Sequence, residues 1–137
     1  MENETFFELL HTMDQVTNKL IIHWNKTFNE NLGISHILVL SHLNDYGKSR
    51  PSDIAKALGL TPPSLTHLSE KLITKKLAVR LADENDRRIL YLDITDPGRE
   101  MLVKAQTEGQ NLRKQLFEKL TAEERQQLLA IYEKLNS

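Results

Sequence analysis

Pro63, Ser64, Thr66, His67, Glu70, Lys71 and Thr74 fall on one arc of a helical wheel drawn at about 100° per residue. Short hydroxyls and an imidazole near the start of such a helix can donate to or accept from the edges of bases. A lysine further along suits a phosphate, and the helix N-terminus offers backbone N–H groups to an anion. Lys75 lies beside the same arc. Glu70 fits better with a solvated face, which any surface helix has. A second group is Asp86-Arg87-Arg88, inside the polar run 83–88. On a hairpin tip, residues two apart can project together, so the Asp86 carboxylate can hold the Arg88 guanidinium. An arginine so held suits the negative potential of a narrow A·T minor groove. The plainer alternative is an exposed, salt-bridged turn worth about 0–1 kcal/mol.

Other chemistries find little support. His11, His23, His36, His42 and His67 show no paired ligand spacing, and there is no cysteine, so no metal site is expected and these histidines read as surface or interdomain residues. No glycine-rich phosphate loop follows a strand and no nucleophile stands in a recognisable motif, so neither cofactor nor catalytic residues are expected. Trp24 reads as core or interface packing.

The elements that must position these groups follow from periodicity and punctuation. Phe6, Leu9, Leu10, Met13, Val16, Leu20 and Trp24 recur at three- and four-residue steps, predicting a helix over 4–31 with Gly33 as its stop. A second helix, 34–46, carries Ile34, Ile37, Leu38, Leu40, Ser41 and Leu43 on a broad face and ends near Gly47. Pro51 opens a short helix to Leu58 that buries Ile54, Ala55 and Leu58 and stops at Gly59. Thr61 as N-cap and Pro62 as first residue open the next, running to about Lys76. Its inward arc holds Leu65, Leu68, Ser69, Leu72 and Ile73. From Leu77 the period becomes two: Leu77, Val79 and Leu81, then Leu90, Leu92 and Ile94, predict a β-hairpin over 77–94. Thr95 caps a helix over 96–120, and Thr121 with Glu124 forms a capping box for a last helix, 122–135. Two short helices joined by a glycine turn, followed by a charged hairpin, make a helix-turn-helix at 51–76 with a wing.

Charge is distributed to match. Residues 1–47 carry a net −4, 48–91 a net +4 and 92–137 a net −1. A local basic patch is what phosphate contact requires, because screening limits the reach of distant charges to about 8 Å. The composition, 39% hydrophobic and 27% charged, is that of a globular chain, and no apolar run is long enough to span a bilayer. An acidic start and the absence of cysteine fit a cytoplasmic protein.

The stretch Pro51–Ile73, then Val79-Arg80, the run 83–88 and Leu92-Asp-Ile-Thr-Asp-Pro-Gly98 together resemble the MarR family of bacterial regulators. The similarity extends over nearly the whole chain, and the Asp-x-x-Asp-Arg-Arg wing is its most specific part. It implies a mostly α winged helix-turn-helix over 1–137, forming a homodimer through helices 4–31 and 96–135. It also implies that the winged parts occupy successive major grooves of a pseudo-palindromic operator in double-stranded DNA. Arg88 would then enter a minor groove, with Asp86 bracing it and Arg87 near the backbone. Pro63, Ser64, Thr66, His67, Lys71 and Lys75 would belong to the same DNA-binding surface. The outcome expected is transcriptional regulation, usually repression, with affinity set by a small effector whose site the sequence does not indicate. Two departures stand out: Lys75-Lys76 where many members carry glycine, and no thiol for sensing. The alternative is a winged-helix module that docks a partner protein.

Overall fold

Proline and threonine place the helix starts of the helix-turn-helix, and the backbone follows them closely. In the computed structural model, which describes residues 2–137, the elements are α1 (Glu2–Thr27), α2 (Ile34–Tyr46), α3 (Pro51–Leu58), α4 (Pro62–Thr74), β1 (Ala78–Ala82), β2 (Leu90–Ile94), α5 (Asp96–Phe117) and α6 (Ala122–Leu135). Pro51 and Pro62 each occupy a first helical position, where their missing N–H is no loss. Gly59 closes α3 at φ 67, a left-handed conformation that glycine adopts without strain. Thr61 caps α4 by accepting the Ser64 N–H at 3.2 Å. Thr121 and Glu124 form the expected capping box of α6.

The chain forms two compact units, one of α1 with residues 107–137 and one of Phe28–Gln106. In the second, α2, α3 and α4 pack on one another and on the hairpin. Val39, Leu40, Leu43, Ile54, Leu65, Leu72 and Leu92 are fully buried there, each stabilising the fold by about 1.5–3 kcal/mol. In the first unit, α1 buries Trp24 alone among the described residues, and α6 buries none. Phe7 is 72% exposed and Leu135 73%.

Several expectations need correction. Helix α1 ends at Thr27 rather than 31, because Phe28 and Leu32 turn into the core and Asn31 takes φ 54. Gly33 does not stop that helix. It is the N-cap of α2, its N–H donating to His36 Nδ1 at 3.0 Å. The buried face of α2 is narrower than expected: Val39 joins Leu40 and Leu43, while Leu38 and Ile34 stay exposed. Leu58 is only half-buried. Helix α5 ends at Phe117, not 120. In the hairpin, β1 and β2 pair antiparallel with Ala78 opposite Ile94 and Leu81 opposite Tyr91. Leu92 and Ile94 are buried as their alternation predicts, but Leu90 is 47% exposed, and Val79 and Leu81 are 39% and 38% exposed. The small Ala78 is the strand residue turned inward, since β1 lies close against α4. Ser49 pairs with the other edge of β2, exchanging two hydrogen bonds with Leu92.

Helix α4 also ends early, at Thr74, and without glycine. Lys76 takes φ 64, its N–H bonds to the Ile73 carbonyl and the Leu77 N–H to that of Leu72. That is a Schellman closure, with Leu72 and Leu77 both buried beneath it. A side chain in this conformation is strained by about 1–2 kcal/mol. Lys76→Gly should therefore stabilise the protein by about 1 kcal/mol in thermal melts, whereas Lys76→Ala should not. Equal melting temperatures for the two variants would show that the strain is absorbed elsewhere.

Candidate nucleic-acid interface

Helix α4 presents most of the residues read from its wheel, and Ser64, Thr66 and Lys71 already have hydrogen-bond partners. Leu65, Ser69 and Leu72 are buried, with Leu68 and Ile73 half-buried, whereas Pro63, Ser64, Thr66, His67, Glu70, Thr74 and Lys75 are exposed. Thr66 Oγ1 donates to the Pro62 carbonyl at 3.0 Å. Its single proton is thus committed, and toward an outside group it is an acceptor. Ser64 Oγ receives the Thr61 hydroxyl at 2.9 Å, leaving its own proton free to donate. Lys71 is half-buried, and its Nζ donates to Asn31 Oδ1 at 3.2 Å. That contact, from the turn after α1, is not visible in helical periodicity.

Within reach of the charges of Lys71, His67 and Lys75 lies His36, which the sequence placed among surface or interdomain histidines. It is half-buried; Nδ1 accepts the Gly33 N–H, and Nε2 is buried without a partner. Burial holds the imidazole below its ordinary pKa, and the charges of Lys71, His67 and Lys75 push the same way. A ring that accepts a backbone N–H through Nδ1 is neutral, so His36 serves the α2 N-terminus as a polar cap. No cluster of three or more His, Cys, Asp or Glu residues among those described could hold a metal ion.

The wing brings Asp86 and Arg88 together. Arg88 Nε and Nη2 donate to Asp86 Oδ1 and Oδ2 at 3.1 and 3.2 Å, a two-pronged ion pair, and the Arg88 N–H adds a third bond at 3.1 Å. Geometry of this kind restricts a guanidinium far more than a single contact does. The Arg88 side chain is 91% exposed, so the pair stands in solvent rather than in a core. The Arg88 bonds lower the Asp86 pKa, helped by the charge of Arg50, a residue that sequence reasoning did not single out. Arg87 is exposed beside them. Asp83, the first residue of the Asp-x-x-Asp-Arg-Arg run but given no role by the sequence, sits at the base of the turn with its carboxylate accepting three hydrogen bonds.

The chain and its fold have counterparts among known proteins. A model described as the MarR family matches residues 32–90. The chain is 31% identical over 125 residues to the transcriptional repressor MprA of Escherichia coli (strain K12), covering 88% of this chain and 70% of that one. Among solved structures, the YusO protein of Bacillus subtilis superposes with a TM-score of 0.83 at 21% identity, over 99% of this chain and 97% of that one. BpsR of Bordetella bronchiseptica, a protein whose DNA binding is regulated by 6-hydroxynicotinic acid, superposes with a TM-score of 0.72 at 21% identity, over 95% of this chain and 99% of that one.

Proposed function

Since the chain belongs to the MarR family of DNA-binding transcriptional regulators, we propose that it is a cytoplasmic repressor acting as a homodimer on a pseudo-palindromic operator. It is a binding protein, not an enzyme. In this reading Ser64, Thr66 and His67 meet base edges, with Pro63 beside them at the start of α4. Lys71 and Lys75 hold phosphates, Arg87 lies along the backbone and Arg88 enters the minor groove with Asp86 behind it. The observation that carries it is the exposed, doubly bonded Arg88 at the tip of a wing that follows a helix-turn-helix. An unbound structure that already orders an exposed arginine is suited to a partner that takes that arginine deep into a groove.

Dimerisation is supported by the apolar surface of the first unit. Phe6, Phe7, Leu9, Leu10 and Met13 on α1, with Leu129, Ile131, Tyr132 and Leu135 on α6, are exposed, more than a lone soluble chain ordinarily leaves uncovered. A two-fold dimer presents its recognition helices roughly 34–36 Å apart, one turn of DNA, which is why the operator should be pseudo-palindromic. An effector that prefers one spacing would shift affinity by population. A cavity of 460 Å³ between α1 and the end of α5 supports that part of the proposal. Its walls are Val16, Leu20, Leu112 and Leu116, and Lys19, His23, Gln115 and Lys119 supply polar groups, so a small amphipathic anion suits it.

Selection of bound sequences from a random duplex pool, with binding titrated against salt, tests the whole reading. A pseudo-palindromic site should emerge, with affinity falling steeply as salt rises through counterion release. Alanine at Ser64, Thr66 or His67 should each relax preference at particular base pairs by about 1–3 kcal/mol. Recovery of no site, or a site unchanged across the three variants, would remove base readout by α4 and favour a protein-docking module.

A further inference from the structure

The wing tip is tied down from the far strand of its own hairpin. Asp83 Oδ2 accepts the N–H groups of Asn85 and Asp86, both at 3.0 Å, while Oδ1 accepts the Tyr91 hydroxyl at 3.1 Å. The Asp83 N–H donates to the Ile89 carbonyl at 2.9 Å, and the Ile89 N–H to the Asp86 carbonyl at 3.0 Å. Asp86 is thereby held at both its backbone N–H and its carbonyl, and its carboxylate is the group that receives Arg88. Tyr91 stands on β2, half-buried, with Lys48 Nζ 5.1 Å from the centroid of its ring. A chain of contacts thus runs from Lys48, between α2 and α3, through Tyr91 and Asp83 to Asp86 and Arg88.

We propose that Asp83 and Tyr91 are positioning residues for Arg88, setting the Asp86 carboxylate, and through it the guanidinium, before DNA arrives. The proposal rests on the assignment of Arg88 to the minor groove. Its physical basis is that a short exposed turn has many backbone states, and a carboxylate that bonds two consecutive N–H groups selects one of them. Tyr91 fixes that carboxylate in turn, because its hydroxyl is carried by a strand rather than by the turn. Two readouts separate positioning from electrostatics. Tyr91→Phe removes one oxygen and no charge. Asp83→Asn and Asp83→Ala remove the same charge, but asparagine keeps an acceptor for the two N–H groups.

The test is a double-mutant cycle on the whole protein, using the duplex most enriched in the random-pool selection at one fixed salt concentration. Tyr91→Phe should weaken binding about threefold to tenfold when Arg88 is present and less than about 1.5-fold in the Arg88→Ala background. Thermal melts should change little. Asp83→Ala should bind more weakly than Asp83→Asn, although charge alone predicts equal gains. Equal losses from Tyr91→Phe in both backgrounds, or none in either, overturn the proposal and leave the Arg88 assignment standing. An Arg88→Ala protein that binds as tightly as wild type removes that assignment and this proposal with it.

Discussion

Gly98→Ala is expected to lower the melting temperature by about 10 °C, a loss of about 3 kcal/mol or more. A Cβ built on Gly98 would lie 2.1 Å from the Leu77 carbonyl oxygen and 2.7 Å from Ile94 Cγ1. The first of these cannot swing aside as a side chain would, because it is backbone and is already engaged. The Leu77 carbonyl accepts the Thr95 N–H at 3.1 Å, and Thr95 Oγ1 accepts the Gly98 N–H and donates to the Lys76 carbonyl at 2.7 Å. The start of α5 is therefore seated on the closure of α4, and a methyl group inserted between them must separate the two. If α4 carries the recognition face, as proposed, operator affinity should fall together with stability. Gly109→Ala is the control, since it lies within α5 where a Cβ meets only Arg113 Nη2 at 4.0 Å. There, helix propensity predicts a gain of about 0.5–1 kcal/mol. Melts of the two variants side by side decide the point. A Gly98→Ala protein as stable as wild type would show that α5 can lift without loss.

Asp86→Ala is expected to weaken DNA binding about threefold to tenfold, although it removes a negative charge from beside a polyanion. Arg88→Ala should weaken it about tenfold or more, most where the site has an A·T-rich flank. The two effects share a cause. An arginine left free loses up to about 2 kcal/mol of rotamer entropy when it is fixed in a groove. In the folded protein two bonds from Asp86 have already restricted it. The ion pair contributes little to folding, given its exposure, so its consequence is expected in binding rather than in melts. It should also persist over the physiological pH range. The Asp86 pKa is depressed by Arg88, so the carboxylate stays charged until the pH falls below the ordinary carboxylate value. Dissociation constants for both variants at one salt concentration, with melts to verify folding, are the measurement. Tighter binding by Asp86→Ala would return the wing to an exposed turn with no bracing function.

Much of this was legible in the sequence, for a reason visible at particular residues. Helix starts at Pro51, Pro62 and Ala122 depend on proline at the first position or on a Thr side chain bonding its own backbone, all within four residues. The outward face of α4 follows from helical geometry alone, and the Asp86–Arg88 pair from a spacing of two. Interactions closed over such short distances leave the rest of the chain little to decide.

What the tertiary structure decided is of another kind. Gly33 can end one helix or begin the next, and the choice falls to the burial of Phe28 and Leu32. Alternation in β1 sets the period but not the inward face, and only the surface packed against the strand selects Ala78 over Val79 and Leu81. Lys76 adopts a glycine-like conformation because Leu72 and Leu77 are buried together beneath it. Asp83 finds Tyr91 only once the hairpin register places Leu81 opposite Tyr91, and Lys71 finds Asn31 from forty residues away. Each of these outcomes is a choice among backbone states of similar local energy, and burial or hydrogen bonds to distant residues supply the difference.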